Sequence, residues 1–167
     1  MKIYLLGFMG SGKSSFGKRL ARKLDYAFVD IDQKVEEMAG MAVTGIFEKM
    51  GVNAFRRMEK EALLSTAGQT KLVVATGGGT PCHFSNMDFI LENGVAVYLK
   101  MSPLSLAHRL EHAQKARPLV QDRKGEELLA WIREKLAERE PVYSRAHCII
   151  KGETVKPDQV IALVFGS

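Results

Sequence analysis

Apolar residues along the chain gather in five short runs separated by longer stretches of helical spacing. The runs are Lys2-Ile3-Tyr4-Leu5-Leu6, Ala27-Phe28-Val29-Asp30-Ile31-Asp32, Leu72-Val73-Val74-Ala75-Thr76, Val95-Ala96-Val97-Tyr98-Leu99 and Cys148-Ile149-Ile150. Short, nearly continuous apolar runs of this kind suit strands buried on both faces. Between the first two, Phe16, Leu20, Ala21 and Leu24 recur at helical spacing. A second helical pattern covers Gln33–Ala39 and breaks at Gly40, and Thr44 is a candidate N-cap for a helix holding Ile46 and Phe47. Beyond Gly51, Phe55, Met58, Ala62 and Leu63 form another apolar stripe. Further helices are predicted over about 84–92, stopped near Asn93-Gly94, and over about 103–111 behind the Ser102-Pro103 cap signature. The last two are predicted over about 125–138 and 157–164. His112–Lys124 is polar, contains Pro118 and has no sustained periodicity. Strands alternating with helices predict a three-layer α/β/α fold around a five-stranded parallel sheet. Ligands in such folds sit beyond the carboxyl ends of the strands, so the ends of the first three strands should converge on one site.

Composition narrows this picture a little. A length of 167 residues, 46% hydrophobic and 26% charged, suits one domain with a sizeable core. The net charge of +5 favours an anionic ligand, but no basic tail concentrates it, so nucleic acid is permitted and not required. Cys82 and Cys148 stand far apart without C-x-x-C spacing, which argues against a zinc or disulfide framework and for two buried apolar thiols. The first apolar run is too short for a signal peptide and no run approaches a membrane span, so a cytoplasmic protein is expected.

The candidate chemistry begins where the first strand stops. Gly7-Phe8-Met9-Gly10-Ser11-Gly12-Lys13-Ser14 fits G-x-x-x-x-G-K-[ST] in its required setting between a strand and a helix. Glycines allow the backbone to turn its N–H groups inward as a phosphate nest, and the helix N-terminus adds its dipole. Lys13 should reach the β- and γ-phosphates of a nucleotide, and the Ser14 hydroxyl should bind Mg²⁺. Asp30 and Asp32, two apart on the second strand, should face the same side near that loop. One reading makes them metal ligand and hydroxyl-orienting group for phosphoryl transfer, and the other makes them caps of the next helix. Gly77-Gly78-Gly79 ends the third strand, where three glycines suggest close approach of backbone to a ligand and a simple turn is the alternative. No acid ends that strand, which points away from many P-loop ATPases and GTPases. Arg56 and Arg57 point about 100° apart on a helix, so Arg56, with Glu59 at i+3, or Arg57, with Glu61 at i+4, could face the site. Arg117 is a candidate lid arginine, or part of a solvated basic loop. Arg139, two residues before Pro141, marks an unusual helix end.

Taken in order, G-F-M-G-S-G-K-S at Gly7–Ser14, D-I-D at Asp30–Asp32, F-R-x-x-E at Phe55–Glu59, A-T-G-G-G at Ala75–Gly79, R-P-L at Arg117–Leu119 and R-x-P-x-Y at Arg139–Tyr143 resemble shikimate kinase, a small P-loop kinase of the nucleoside-monophosphate-kinase-like class. The resemblance spans nearly the whole chain. It implies transfer of the γ-phosphate of ATP to the 3-hydroxyl of shikimate, in the pathway to chorismate and the aromatic amino acids, with Mg²⁺ as cofactor. It implies that Gly10, Ser11, Gly12, Lys13, Ser14 and Ser15 hold the ATP phosphates, and that Arg109 and Pro157 sandwich adenine. Asp32 would take the reacting hydroxyl, Arg56 and Arg139 would clamp the carboxylate, and Gly77, Gly78 and Gly79 would lie against the ring. Lys13 and Arg117 would stabilise the transferring phosphoryl, and Ser14 would bind the metal, with Asp30 and Asp32 acting through water. The whole chain, 1–167, would be a single kinase domain with a substrate-binding helical segment over about 33–62 and a lid over about 112–124. It would act as a cytoplasmic monomer, without nucleic acid or membrane. A gluconokinase-like enzyme would share the phosphate loop and a lid without requiring the other motifs. A nucleotide switch or nucleic-acid-associated P-loop protein would bind without transfer.

Overall fold

The computed structural model describes residues 1–113, 117–120 and 122–166. Within these residues five strands, β1 (Lys2–Leu6), β2 (Ala27–Asp30), β3 (Leu72–Ala75), β4 (Val95–Lys100) and β5 (Cys148–Lys151), pair in the order β2-β3-β1-β4-β5. Every pairing is parallel. Among the described residues, eight α-helices connect or flank them: α1 (Lys13–Leu24), α2 (Ile31–Ala39), α3 (Val43–Met50), α4 (Val52–Leu64), α5 (Asn86–Asn93), α6 (Pro103–Glu111), α7 (Gly125–Tyr143) and α8 (Pro157–Phe165). The three-layer α/β/α expectation holds.

Alternation along the strands divides the core. Tyr4, Leu6, Val74, Ala96 and Tyr98 face one side, where Val35, Ile46, Leu63, Ile90 and Tyr143 pack on them. Ile3, Leu5, Val73, Val97 and Leu99 face the other, against Phe16 and Leu20 of α1 and Val160 of α8. This two-sided burial is why β1, wholly buried, reads as an unbroken apolar run after Lys2. A third group, with Phe8, Met9, Leu106, Leu110, Leu128 and Ile132, supports the loop after β1 from below. Among the described residues, no helix is long and apolar enough to cross a membrane.

Several boundaries differ from the sequence expectation, each for a local reason. The second strand ends at Asp30 and not Asp32, because Asp30 serves as N-cap of α2 and accepts from Gln33 N–H at 3.2 Å. Helix α2 therefore starts at Ile31, two residues early. Ala42, not Thr44, caps α3, whose Val43 N–H is instead satisfied by the Glu36 carboxylate at 2.9 Å. The helix predicted over about 84–92 is α5, which starts at Asn86, and a 3₁₀ turn, Thr80–Cys82, precedes it. Helix α7 runs past Glu138 to Tyr143 with Pro141 inside its last turn. Proline removes one donor there, but Ser144 and Arg145 N–H still close the end on Glu140 and Val142 carbonyls. Neither cysteine is fully buried; both are half-buried at the margins of the core.

Candidate active site

The adjacency β2-β3-β1 brings the ends of the first three strands together, as expected for this sheet type. Above them lies a cleft of about 450 Å³. The glycine loop forms one wall. Gly10 and Gly12 both take φ 84°, a left-handed backbone that glycine adopts without strain. Lys13 is buried, and its Nζ donates to the carbonyls of Gly7 at 2.7 Å and Phe8 at 3.0 Å. Ser14 and Ser15 stand in the first turn of α1, a turn without acidic residues, so the positive end of that helix is left for an anion.

Asp30 and Asp32 both line the cleft, but not as same-side residues of one strand. Asp30 is the N-cap of α2, and Asp32 lies in its first turn. The capping alternative and the functional one thus coexist: while Asp30 Oδ1 caps the helix, Asp30 Oδ2 accepts from the Ser14 hydroxyl.

The three glycines after β3 are required mainly for space. None of them has a positive φ. A Cβ on Gly77 would stand 2.8 Å from Asp32 Oδ1 and 3.0 Å from Glu59 Oε2. One on Gly78 would meet Met9 N at 3.0 Å and Arg139 Nη1 at 3.3 Å, and one on Gly79 would meet Arg56 Nη1 at 2.7 Å. Each missing side chain makes room for a charged group of the site, so the expectation of backbone approach to a ligand is incomplete.

The choice between the adjacent arginines is settled by burial. Arg56 is buried and pairs with buried Glu59 at 2.9 Å, whereas Arg57 is exposed. Arg139 is a buried residue of α7 stacked over the Phe8 ring, 5.3 Å from its centroid. Arg56 Nε and Arg139 Nη1 are buried N–H donors without a protein partner, as is Arg117 Nε. The Tyr143 hydroxyl donates to Gly78 O and fixes the glycine turn from α7. Sequence reasoning gave Tyr143 no role beyond its motif, and it passed over Val43 and Phe47, which line the apolar side of the cleft with Phe55. It also passed over Thr80, whose hydroxyl meets Glu59. A helical apolar stripe could have suggested the first two; nothing local distinguishes Thr80.

Arg117, Pro118 and Leu119 line the cleft, and Val120 is buried in the group under the loop. The rest of the expected lid, 112–124, includes residues 114–116 and 121, which lie outside the described residues. Burial pulls the Arg117 guanidinium below its ordinary value, while Asp32 and Asp30 oppose that shift. Arg109 is exposed and approaches the loop, its Nη1 2.8 Å from where a Gly12 Cβ would stand. Pro157, at the start of α8, is not among the residues lining the cleft; neither are Ser11, which is buried within the loop, and Arg139, which is buried beside the Phe8 ring and Gly78.

Burial lowers the Lys13 pKa to about 7; Arg117 and Arg139 act in the same direction, and Asp32 and Asp30 oppose them. Phosphate oxygens would restore the charge. Binding of ADP at about pH 8 is therefore expected to take up nearly one proton, and at about pH 6, where Lys13 is already charged, almost none. Calorimetry in buffers of different ionisation enthalpy measures this directly, and equal heats at the higher pH would refute it.

The family model for shikimate kinase matches residues 9–165. A curated shikimate kinase of Parabacteroides distasonis is 41% identical over 152 residues, covering 91% of this chain and 88% of the relative. The crystal structure of shikimate kinase from Bacteroides thetaiotaomicron superposes with a TM-score of 0.93 at 33% identity, over 99% of this chain and 98% of that one. The shikimate kinase from Acinetobacter baumannii in complex with shikimate gives a TM-score of 0.88 at 33% identity, over 98% and 92%.

Proposed function

The chain belongs to the shikimate kinase family and is a kinase that phosphorylates shikimate with ATP, and from that premise we propose how its side chains divide the reaction. Arg56 and Arg139 clamp the shikimate carboxylate. The observation that carries this is the pair of buried, unpartnered N–H donors, Arg56 Nε and Arg139 Nη1, on two different helices. A carboxylate can accept from both at once. The ring lies along Gly77–Gly79, with Phe47 and Phe55 as an apolar wall that excludes water. In this reading the 3-hydroxyl lies at Asp32, which takes its proton as the oxygen attacks the γ-phosphorus of ATP and the bond from that phosphorus to the bridging oxygen breaks to release ADP.

The glycine loop holds the phosphates, and Lys13 and Arg117 neutralise charge on the transferring group. Lys13 must exchange its loop carbonyls for phosphate oxygens to do so. Arg109 lies where it can cover the nucleotide beside Gly12, with Pro157 contributing less, being outside the cleft lining. Ser14 and Asp30, already hydrogen-bonded to each other, present oxygen donors that suit Mg²⁺. An ion held there would complete its shell with phosphate oxygens and water. When bound, Mg²⁺ neutralises and orients the β- and γ-phosphates. The proposal extends to a monomer with a single kinase domain, acting in the cytoplasm without nucleic acid or membrane.

ATP consumption measured side by side with shikimate, gluconate and nucleoside monophosphates tests the acceptor. Turnover is expected with shikimate alone, giving one product phosphorylated at the 3-position by phosphorus–proton correlation. Turnover with gluconate and not shikimate would overturn the assignment.

A further inference from the structure

Thr80 opens the 3₁₀ turn behind the glycines and is fully buried. It does not line the cleft. Its hydroxyl oxygen accepts from Gly77 N–H at 2.8 Å and donates to Glu59 Oε2 at 2.8 Å. The other Glu59 oxygen accepts from Arg56 Nη1 at 2.9 Å. The polarity of this chain is forced, because an amide N–H only donates and an ionised carboxylate only accepts. The Thr80 carbonyl in turn accepts from Asn86 Nδ2 at 2.8 Å, which ties the turn to α5.

We propose that Thr80 is a positioning residue for the acceptor: its single hydroxyl joins the Arg56–Glu59 arm of α4 to the Gly77 amide, so that carboxylate clamp and glycine turn hold one fixed geometry. This rests on the reading that Arg56 binds the shikimate carboxylate. Glu59 orients the Arg56 guanidinium only while it is ionised and held. Burial already raises the Glu59 pKa, Asp32 of α2 adds to the rise, and Arg56 and the Thr80 hydrogen bond oppose it. The half-buried Cys82 thiol also lies within its field. Without the hydroxyl, Glu59 protonates at higher pH, Arg56 loses its counter-charge, and Gly77 N–H is buried without an acceptor.

Steady-state kinetics of the full chain carrying Thr80→Val, Thr80→Ser or Arg56→Ala test this. Thr80→Val is expected to raise the shikimate KM about tenfold to a hundredfold, with the ATP KM changed less than about twofold. Its acid limb of kcat/KM for shikimate should move to higher pH. Thr80→Ser, which keeps the hydroxyl, should restore most of the affinity and return the limb. Thr80→Ala replaces Thr80→Val if that variant does not fold. A Thr80→Val enzyme with unchanged shikimate KM, beside an Arg56→Ala enzyme with a raised one, overturns the proposal and leaves the Arg56 reading standing. Unchanged shikimate KM in Arg56→Ala removes that reading and the proposal with it. An equal rise in the ATP KM of Thr80→Val also overturns the proposal, since it signals general loosening.

Discussion

Replacing Asp32 by Asn is expected to lower kcat about a thousandfold while the ATP KM moves less than about threefold. Asp32 lies in the first turn of α2, beside Gly77 and within the field of Lys13 and Arg117. Asparagine keeps the size of the side chain and is tolerated near a helix N-terminus, so the fold should survive. It loses the ability to take a proton. If Asp32 only oriented the hydroxyl, the asparagine oxygen could still accept that hydrogen bond, and the loss would stay within about tenfold. The size of the fall therefore separates a base from an orienting group. Thermal melts of both proteins, with ADP binding by calorimetry, complete the test: a parallel loss of nucleotide affinity would contradict a role confined to the acceptor.

The parts of the site legible in the sequence are those whose signal is local. The phosphate loop is a contiguous motif in a strand–helix setting, and the buried strands announce themselves as apolar runs. Asp30 and Asp32 both reach the expected cleft, and Asp30 does end the second strand, but Asp32 belongs to the helix that follows. The apolar run continues through Ile31, and nothing in it marks where ladder hydrogen bonds stop and the Asp30 cap takes over. Gly77–Gly79 could be seen as special, yet their reason lies elsewhere in the chain. The groups they make room for are Asp32, Met9, Arg56 and Arg139, each about 20 to 70 residues away, and spacing carries no information about such contacts. Pro141 looked like a helix stop because a proline usually is one. Here the last turn is closed by donors beyond it, and Arg139 projects from a helix rather than from a loop. The Thr80 hydroxyl was invisible for the same reason as the glycine contacts: its partner Glu59 is on another helix.

Arg56→Ala is expected to raise the shikimate KM about a hundredfold or more, with the ATP KM nearly unchanged, because the proposed clamp loses one of its two charged partners for the carboxylate. The same substitution should lower stability, for a separate reason. Arg56 and Glu59 are a buried pair, and removing one member of such a pair costs about 3–5 kcal/mol, since the other charge is left in the interior. The two effects respond differently to pH. Burial already raises the Glu59 pKa, and loss of Arg56 raises it further. A carboxyl with a folded pKa above its unfolded one contributes no penalty while both states are protonated, and a growing one as pH rises through the interval between the two. The thermal-stability deficit of Arg56→Ala should therefore be smaller at about pH 5 than at about pH 8. Adding Glu59→Gln should recover stability at the higher pH without recovering shikimate affinity, because it removes the stranded charge but supplies no guanidinium. Arg56→Lys separates charge from geometry: it retains a cation but not the planar fork, and should fall between wild type and alanine in shikimate KM. A shikimate KM unchanged in Arg56→Ala would place the carboxylate elsewhere, whereas recovery of affinity in the double variant would mean that Arg56 serves only to neutralise Glu59.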